Sequence, residues 1–369
     1  MMHFVAVYLL LTSMTSANTG ARPVHKPHRL LVYYGYPSLI NGAAGNIARA
    51  VKVFSTYDTI VLGDGLEFAD IDPQRKPAGV GKDEHDKAQG IIEALHSPVR
   101  DIYGYICIGN SQSLSYAEIG RRVKLWRDMG VSGIFFDEAG FDFATTRQRQ
   151  NRAVDLVHRS GLRVLANAYN PDDLFTRVSR TGDGHDAGLP PSHLTKQDAF
   201  LLESFQVKSG DYEEVGVWKP KAEKAIRYRE QYGTRIYSLP TLDKSGVVSA
   251  EKVCYAWWGA VLYQFDGFGF GDSRYGSNGT ATGLECPSFE LGRFQNGAPT
   301  LLESRLSLRT DRGEIFLDVR NHTAGFARSV SAANALPLAE SGGRRSSKNY
   351  LKAFARSSRS CWTRGKRRP

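Results

Sequence analysis

Eight short apolar runs recur along this chain with helix-like segments between them, and that alternation restricts the fold more than any other feature. The runs are residues 30–34, 59–62, 102–108, 133–136, 163–166, 199–202, 235–239 and 261–265. Each is too short for a helix and apolar on consecutive positions, as expected of strands covered on both faces. The intervening segments carry the helical period. Residues 46–57 place Ile47, Ala50, Val51 and Phe54 at i, i+3, i+4 and i+7, and 85–96 repeat this with Ala88, Ile91, Ile92 and Leu95. Residues 115–129 open on Ser115 with Glu118 three positions on, a capping-box pattern, and close at Gly130. Residues 145–160 stop at Gly161 and 218–232 at Gly233, glycine being the residue that leaves a helix most easily. A sixth helical segment, 249–260, precedes the last run.

Strands alternating with helices either close into a barrel or lie open as a doubly wound sheet. The first strand-to-helix turn reads Tyr34-Gly35-Tyr36-Pro37-Ser38 and lacks the G-x-G-x-x-G of a dinucleotide site. Eight units within about 240 residues match a (β/α)8 TIM barrel. We therefore expect an α/β chain with the barrel over 28–275. Residues 276–327 are expected to form a small C-terminal β-hairpin appendage, from strands at 305–309 and 314–319 joined across Asp311-Arg312-Gly313. A Pro/Asp/Gly-rich insertion, 171–198, breaks the rhythm and is expected as a long loop over the barrel mouth.

Charge and leader segments narrow the class. The formal net charge is +10, yet residues 328–369 hold eleven Lys/Arg and one acid, Glu340, so the other 327 residues are neutral. The excess belongs to a basic, Ser-rich, disordered tail and does not make the barrel a nucleic-acid binder. Residues 4–14 form an apolar run of signal-peptide length, followed by Thr15, Ser16 and Ala17, so 1–20 are expected as a cleaved leader and the protein as secreted. No other segment is apolar enough for a membrane span. Among the four cysteines, Cys107, Cys254, Cys286 and Cys361, no CxxC or Cys/His cluster marks a zinc site. Cys254 and Cys286 are the pair a disulfide could join, and Asn278 and Asn321 begin N-x-T sequons.

If the barrel closes, residues just past each strand converge on one face. The stretch Gly133-Ile134-Phe135-Phe136-Asp137-Glu138 ends a core run in two adjacent carboxylates, and Glu203 follows Phe200-Leu201-Leu202 in the same manner. Acids attached to core strands need a partner or a job, because burying a charge is costly. The other strand ends contribute Tyr34 and Tyr36, Asp64 and Glu67, Asn110 and Ser111, Asn167 and Tyr169, Gln206, Asp243 and Asp266. Acids, amides and aromatics with few cations suit glycoside hydrolysis, in which one acid protonates the leaving oxygen and a second attacks the anomeric carbon or activates water. Asp137, Glu138 and Glu203 are the candidate catalytic acids, each able to raise the proton affinity of the others. Tyr34, Tyr36, Asp64, Asn110, Asn167, Tyr169 and Asp266 are the candidate substrate contacts, with Phe268 and Phe270 as further stacking surfaces. A phosphate cradle at Gly267-Phe268-Gly269-Phe270-Gly271 lacks a nearby Ser, Thr or Lys, and His185 is the sole histidine placed for a metal, so neither cofactor nor metal is expected.

The Gly-Ile-Phe-Phe-Asp-Glu segment, the later Glu203 and the Tyr33-Tyr34-Gly35-Tyr36-Pro37 opening resemble the spherulation-specific family of glycosidases. These are related to the endo-α-1,4-polygalactosaminidases, secreted barrel enzymes that cut galactosamine-containing exopolysaccharides. The resemblance spans about residues 30–272. It implies Asp137 as nucleophile or stabiliser, Glu203 as general acid/base and Glu138 in support. A secreted, cofactor-free, monomeric hydrolase of a polysaccharide is the expectation. Two alternatives are a carbohydrate-binding barrel without turnover and an intracellular barrel enzyme acting on a phosphorylated substrate.

Overall fold

The structure, a computed structural model, describes residues 21–63, 65–178, 188–243, 249–271, 280–281, 289–294 and 298–329. Its centre is a closed barrel of eight parallel strands: β1 (His28–Tyr33), β2 (Thr59–Leu62), β3 (Asp101–Cys107), β4 (Gly133–Asp137), β5 (Arg163–Asn167), β6 (Ala199–Glu203), β7 (Arg235–Leu239) and β8 (Gly267–Phe268). Helices α1 (Ile47–Phe54), α2 (Lys82–Leu95), α3 (Tyr116–Asp128), α4 (Arg147–Arg159), α5 (Pro171–Phe175), α6 (Val215–Tyr232) and α7 (Ala250–Leu262) follow in chain order. This is the expected (β/α)8 architecture.

The strand period of two sorts the side chains. Leu30, Val32, Val61, Tyr103, Phe135, Leu165, Leu201 and Tyr237 fill the barrel interior. Their neighbours, among them Ile60, Ile134, Phe136, Val164 and Phe200, pack outward against the helices. Helix ends follow the local chemistry. The Ser115 side chain accepts the Glu118 N–H at 3.1 Å, but Glu118 turns to Arg121 instead of closing the box. Gly130, Gly161 and Gly233 leave their helices in the left-handed region, at φ of 92°, 74° and 74°.

The position of the last strand is corrected. The run 261–265 is not the last strand: α7 continues to Leu262, and the strand is Gly267–Phe268. An apolar run cannot by itself distinguish a buried helix end from a strand, and here the helix is buried nearly all round. The glycines of 267–271 are barrel-closure residues. A Cβ on Gly267 would meet the Tyr237 ring at 2.0 Å and one on Gly269 the Leu30 carbonyl at 2.5 Å. The insertion, in its described parts 171–178 and 188–198, lies against α4, while 179–187 lie outside the described residues. Arg147 donates to Thr176 and Pro190 carbonyls, Asn151 to that of Pro191, and His193 reaches Asp155. His185 lies outside the described residues.

The appendage is larger than a hairpin. Strands β9 (Arg293–Phe294), β10 (Thr300–Leu302), β11 (Arg305–Thr310), β12 (Gly313–Asp318) and β13 (Thr323–Arg328) form an antiparallel sheet that also takes in Arg22–Pro23 from the segment before the barrel. The sheet packs on α7, and His322 stacks flat on Tyr212, with ring centres 3.8 Å apart and 2° between planes. Among the described residues no helix is long and apolar enough to cross a membrane. The leader, the basic tail beyond Ser329, Cys286 and Cys361 lie outside the described residues.

Candidate active site

The same alternation that fills the barrel puts its polar groups at one end. Asp137 is two residues past Phe135, Asn167 two past Leu165 and Glu203 two past Leu201, so all three point inward above the apolar layers. Each acid is the last residue of its strand. The residue after each, Glu138 or Ser204, takes left-handed backbone, at φ of 53° and 55°. Non-glycine residues in that region cost on the order of 1 kcal/mol or more, a strain typical of functional turns.

Asn167 joins the two acids. Its Nδ2 donates to Asp137 Oδ1 at 3.0 Å and to Glu203 Oε2 at 2.6 Å. These two carboxylate oxygens are thus no further apart than the two bonds laid end to end. Asp137 also accepts the Tyr105 hydroxyl on Oδ2 at 2.7 Å and the Glu138 backbone N–H on Oδ1 at 2.9 Å. Burial pushes the Asp137 carboxyl above the ordinary range while these three donors pull it down. Burial dominates at Glu203 as well. It is pushed up to about 7, with Asn167 opposing and the charges of Asp137 and Asp142 adding to the rise, while Lys208 lowers it.

Glu138 belongs to the site but not to the pair. Its carboxylate is held by the Ser111 N–H at 3.1 Å, the Ser111 hydroxyl and the Cys107 thiol at 3.3 Å. Gly109 makes room for it, since a Cβ there would lie 2.4 Å from Glu138 Cβ. The Cys107 thiol is pushed up to about 12 by burial and by that bond, which makes it a donor and not a nucleophile.

The expected substrate contacts fare differently. Tyr34 stands half-buried at the mouth, its ring edge-on to Tyr105 at 5.6 Å. Tyr36 is exposed, as is Asn110, whose N–H donates to the Phe143 carbonyl. Asp64 lies outside the described residues. Tyr169 carries Lys221 Nζ over its ring at 3.4 Å from the centre and receives the Lys208 ammonium on its hydroxyl at 3.4 Å, so one face is already occupied by a cation. Asp266 is a correction: with β8 beginning at Gly267, it sits at the amino end of the barrel, opposite the acid pair. There it accepts the Ile236 N–H at 2.8 Å and lies 3.6 Å from Arg229. Glu67 is also removed from the mouth, fully buried against Arg122 at 2.5 Å. Phe268 is buried and packs outward, away from any sugar. Tyr105, Lys208 and Lys221 are the site residues missing from the sequence reading. Tyr105 was within reach, because Tyr103 and Tyr105 alternate with Ile102, Gly104 and Ile106 and so share one face.

No protein-family model and no curated protein matches the chain. Several solved structures resemble it loosely. The endo-beta-1,4-glucanase Xac0029 from Xanthomonas axonopodis pv. citri is 11% identical with a TM-score of 0.41, over 67% of this chain and 87% of that one. The glycoside hydrolase domain of PelA from Pseudomonas aeruginosa is 13% identical with a TM-score of 0.39, over 69% and 100%. A sugar phosphate isomerase/epimerase from Parabacteroides distasonis is 12% identical with a TM-score of 0.35, over 66% and 86%. Likeness of this degree carries no activity onto this chain.

Proposed function

We propose that this chain is a glycoside hydrolase acting on a polysaccharide, with Asp137 as nucleophile and Glu203 as general acid/base. The observation that carries the reading is the Asn167 amide, whose one nitrogen holds both carboxylates. Burial raises both carboxyls, and the difference between them lies in their donors, three on Asp137 and one on Glu203. Asp137, with three donors, is suited to carry charge, and Glu203, raised to about 7, is suited to hold a proton near neutral pH and return it. Glu203 first protonates the glycosidic oxygen as Asp137 attacks the anomeric carbon. It then takes a proton from the water that releases the sugar. Asn167 and Tyr105 keep the attacking carboxylate oriented throughout.

Spacing supports retention of configuration. Bonds of 3.0 and 2.6 Å to a shared nitrogen keep the facing oxygens short of the roughly 6.5 Å at which inverting pairs begin. Tyr34 and Tyr36 at the rim are suited to stack on sugar rings, and the exposed Asn110 to hydrogen-bond to sugar hydroxyls. A galactosamine-containing exopolysaccharide is the first substrate to try, in keeping with the family resemblance. We further read the protein as a secreted monomer.

The test is release of new reducing ends from a panel of exopolysaccharides, galactosamine-containing polymers included, by wild type, Asp137→Asn and Glu203→Gln. Each variant should lose at least about 10²-fold in rate, and the first product seen by NMR should keep its anomeric configuration. Two variants as active as wild type would remove the site. Glycan binding without new reducing ends from wild type would instead favour a carbohydrate-binding barrel.

A further inference from the structure

We propose that Tyr105 is the positioning side chain that biases the two acids apart, its hydroxyl favouring charge on Asp137 and so the proton on Glu203. This rests on the hydrolase reading above. Asn167 cannot set the difference, because its amide donates to both carboxylates. The Glu138 N–H also favours charge on Asp137, but it is backbone, so the side-chain contribution to the difference falls to Tyr105. Among the described residues, the Tyr105 hydroxyl is the one side-chain donor seen on one acid and not on the other. Its bond to Oδ2 is a close one, at 2.7 Å.

The ring is built to stay where it is. Tyr105 lies on β3 inside the barrel, tilted against Phe135 at 5.8 Å and edge-on to Tyr34 at 5.6 Å. Burial raises its phenol far above the ordinary value, so it remains a donor at any working pH. The other titratable groups around the pair leave it this role. Glu138, next along the chain from Asp137, turns its carboxylate to Ser111 and Cys107 on the β3 side. Tyr34 approaches from the β1 side, Glu203 faces from β6, and Asp142 and Lys208 act on Glu203 with opposite signs.

The experiment needs no substrate. Carboxyl ¹³C titrations of Asp137 and Glu203, assigned with Asp137→Asn and Glu203→Gln, are compared in wild type and Tyr105→Phe. The Asp137 midpoint should rise by about one pH unit or more in Tyr105→Phe, and the Glu203 midpoint should fall as the proton shifts toward Asp137. A ring that merely packs would leave both midpoints in place, which would overturn the proposal. Replacing Tyr105 by 3-fluorotyrosine keeps the packing and strengthens the donor, so there the Asp137 midpoint should drop. An unmoved or raised midpoint in that protein is equally fatal, and it decides the matter if Tyr105→Phe does not fold. Hydrolysis by Asp137→Asn and Glu203→Gln is scored on glycans, so failure of the hydrolase reading is separable from failure of this one.

Discussion

Glu203 ties the chemistry of single residues to stability. Its carboxyl is raised from 4.5 to about 7 in the folded chain, so between those values the folded state binds more protons than the unfolded one. Its contribution is therefore fully present at low pH and is lost as pH climbs from about 4.5 to 7. Glu203→Gln removes the ionisation, so the variant should unfold about 2–4 °C or more above wild type at pH 8, with that advantage gone at pH 4. Thermal unfolding at the two pH values checks it, and an advantage independent of pH would contradict the assignment. Asp137 and Glu203 stand out in the sequence as candidates because an acid ending a core strand is chemically conspicuous, and Asn167 bridges the two in the fold. Asp266 looked similar but was assigned to the wrong end of its strand, since its position depended on where the preceding helix stopped.

Strands and helices here are locked together by places where no side chain fits. Gly104 on β3 is such a place: a Cβ would sit 2.1 Å from Cδ2 of the buried Trp126 on α3. Neither ring nor strand can yield cheaply, because Trp126 Nε1 donates to the Tyr105 carbonyl of the same strand at 3.2 Å. Gly104→Ala should therefore cost about 1–3 kcal/mol in urea unfolding, the usual penalty for overpacking. A cost within error would mean that α3 can slide on the barrel. At this scale most helices were legible from their period and their glycine stops. The α7–β8 boundary was not, because a helix buried on nearly every side has no polar face to mark it.

At the scale of the whole molecule, the C-terminal sheet and the barrel meet through α7 and the Tyr212–His322 stack. Tyr212 also stands edge-on to Tyr255 of α7 at 5.3 Å, so three rings form the joint. His322→Ala should lower stability by about 0.5–1.5 kcal/mol in denaturant unfolding while leaving the Asp137 and Glu203 titrations unchanged. Altered titrations would show that the sheet reaches the acid pair. By itself, the order of apolar runs and helical periods located seven of the eight strands and favoured a barrel, since parallel strands with helices between them bury both faces of each strand most fully by closing. It also determined that acids at strand ends would meet, because closure brings strand ends to one rim. Only the tertiary structure decided which polar groups face one another. Glu67 sank against Arg122, Glu138 turned to Ser111, and Tyr105 and Asn167 took Asp137 between them. These pairings depend on side-chain direction and on distances between residues far apart in the chain, and neither is written in local periodicity.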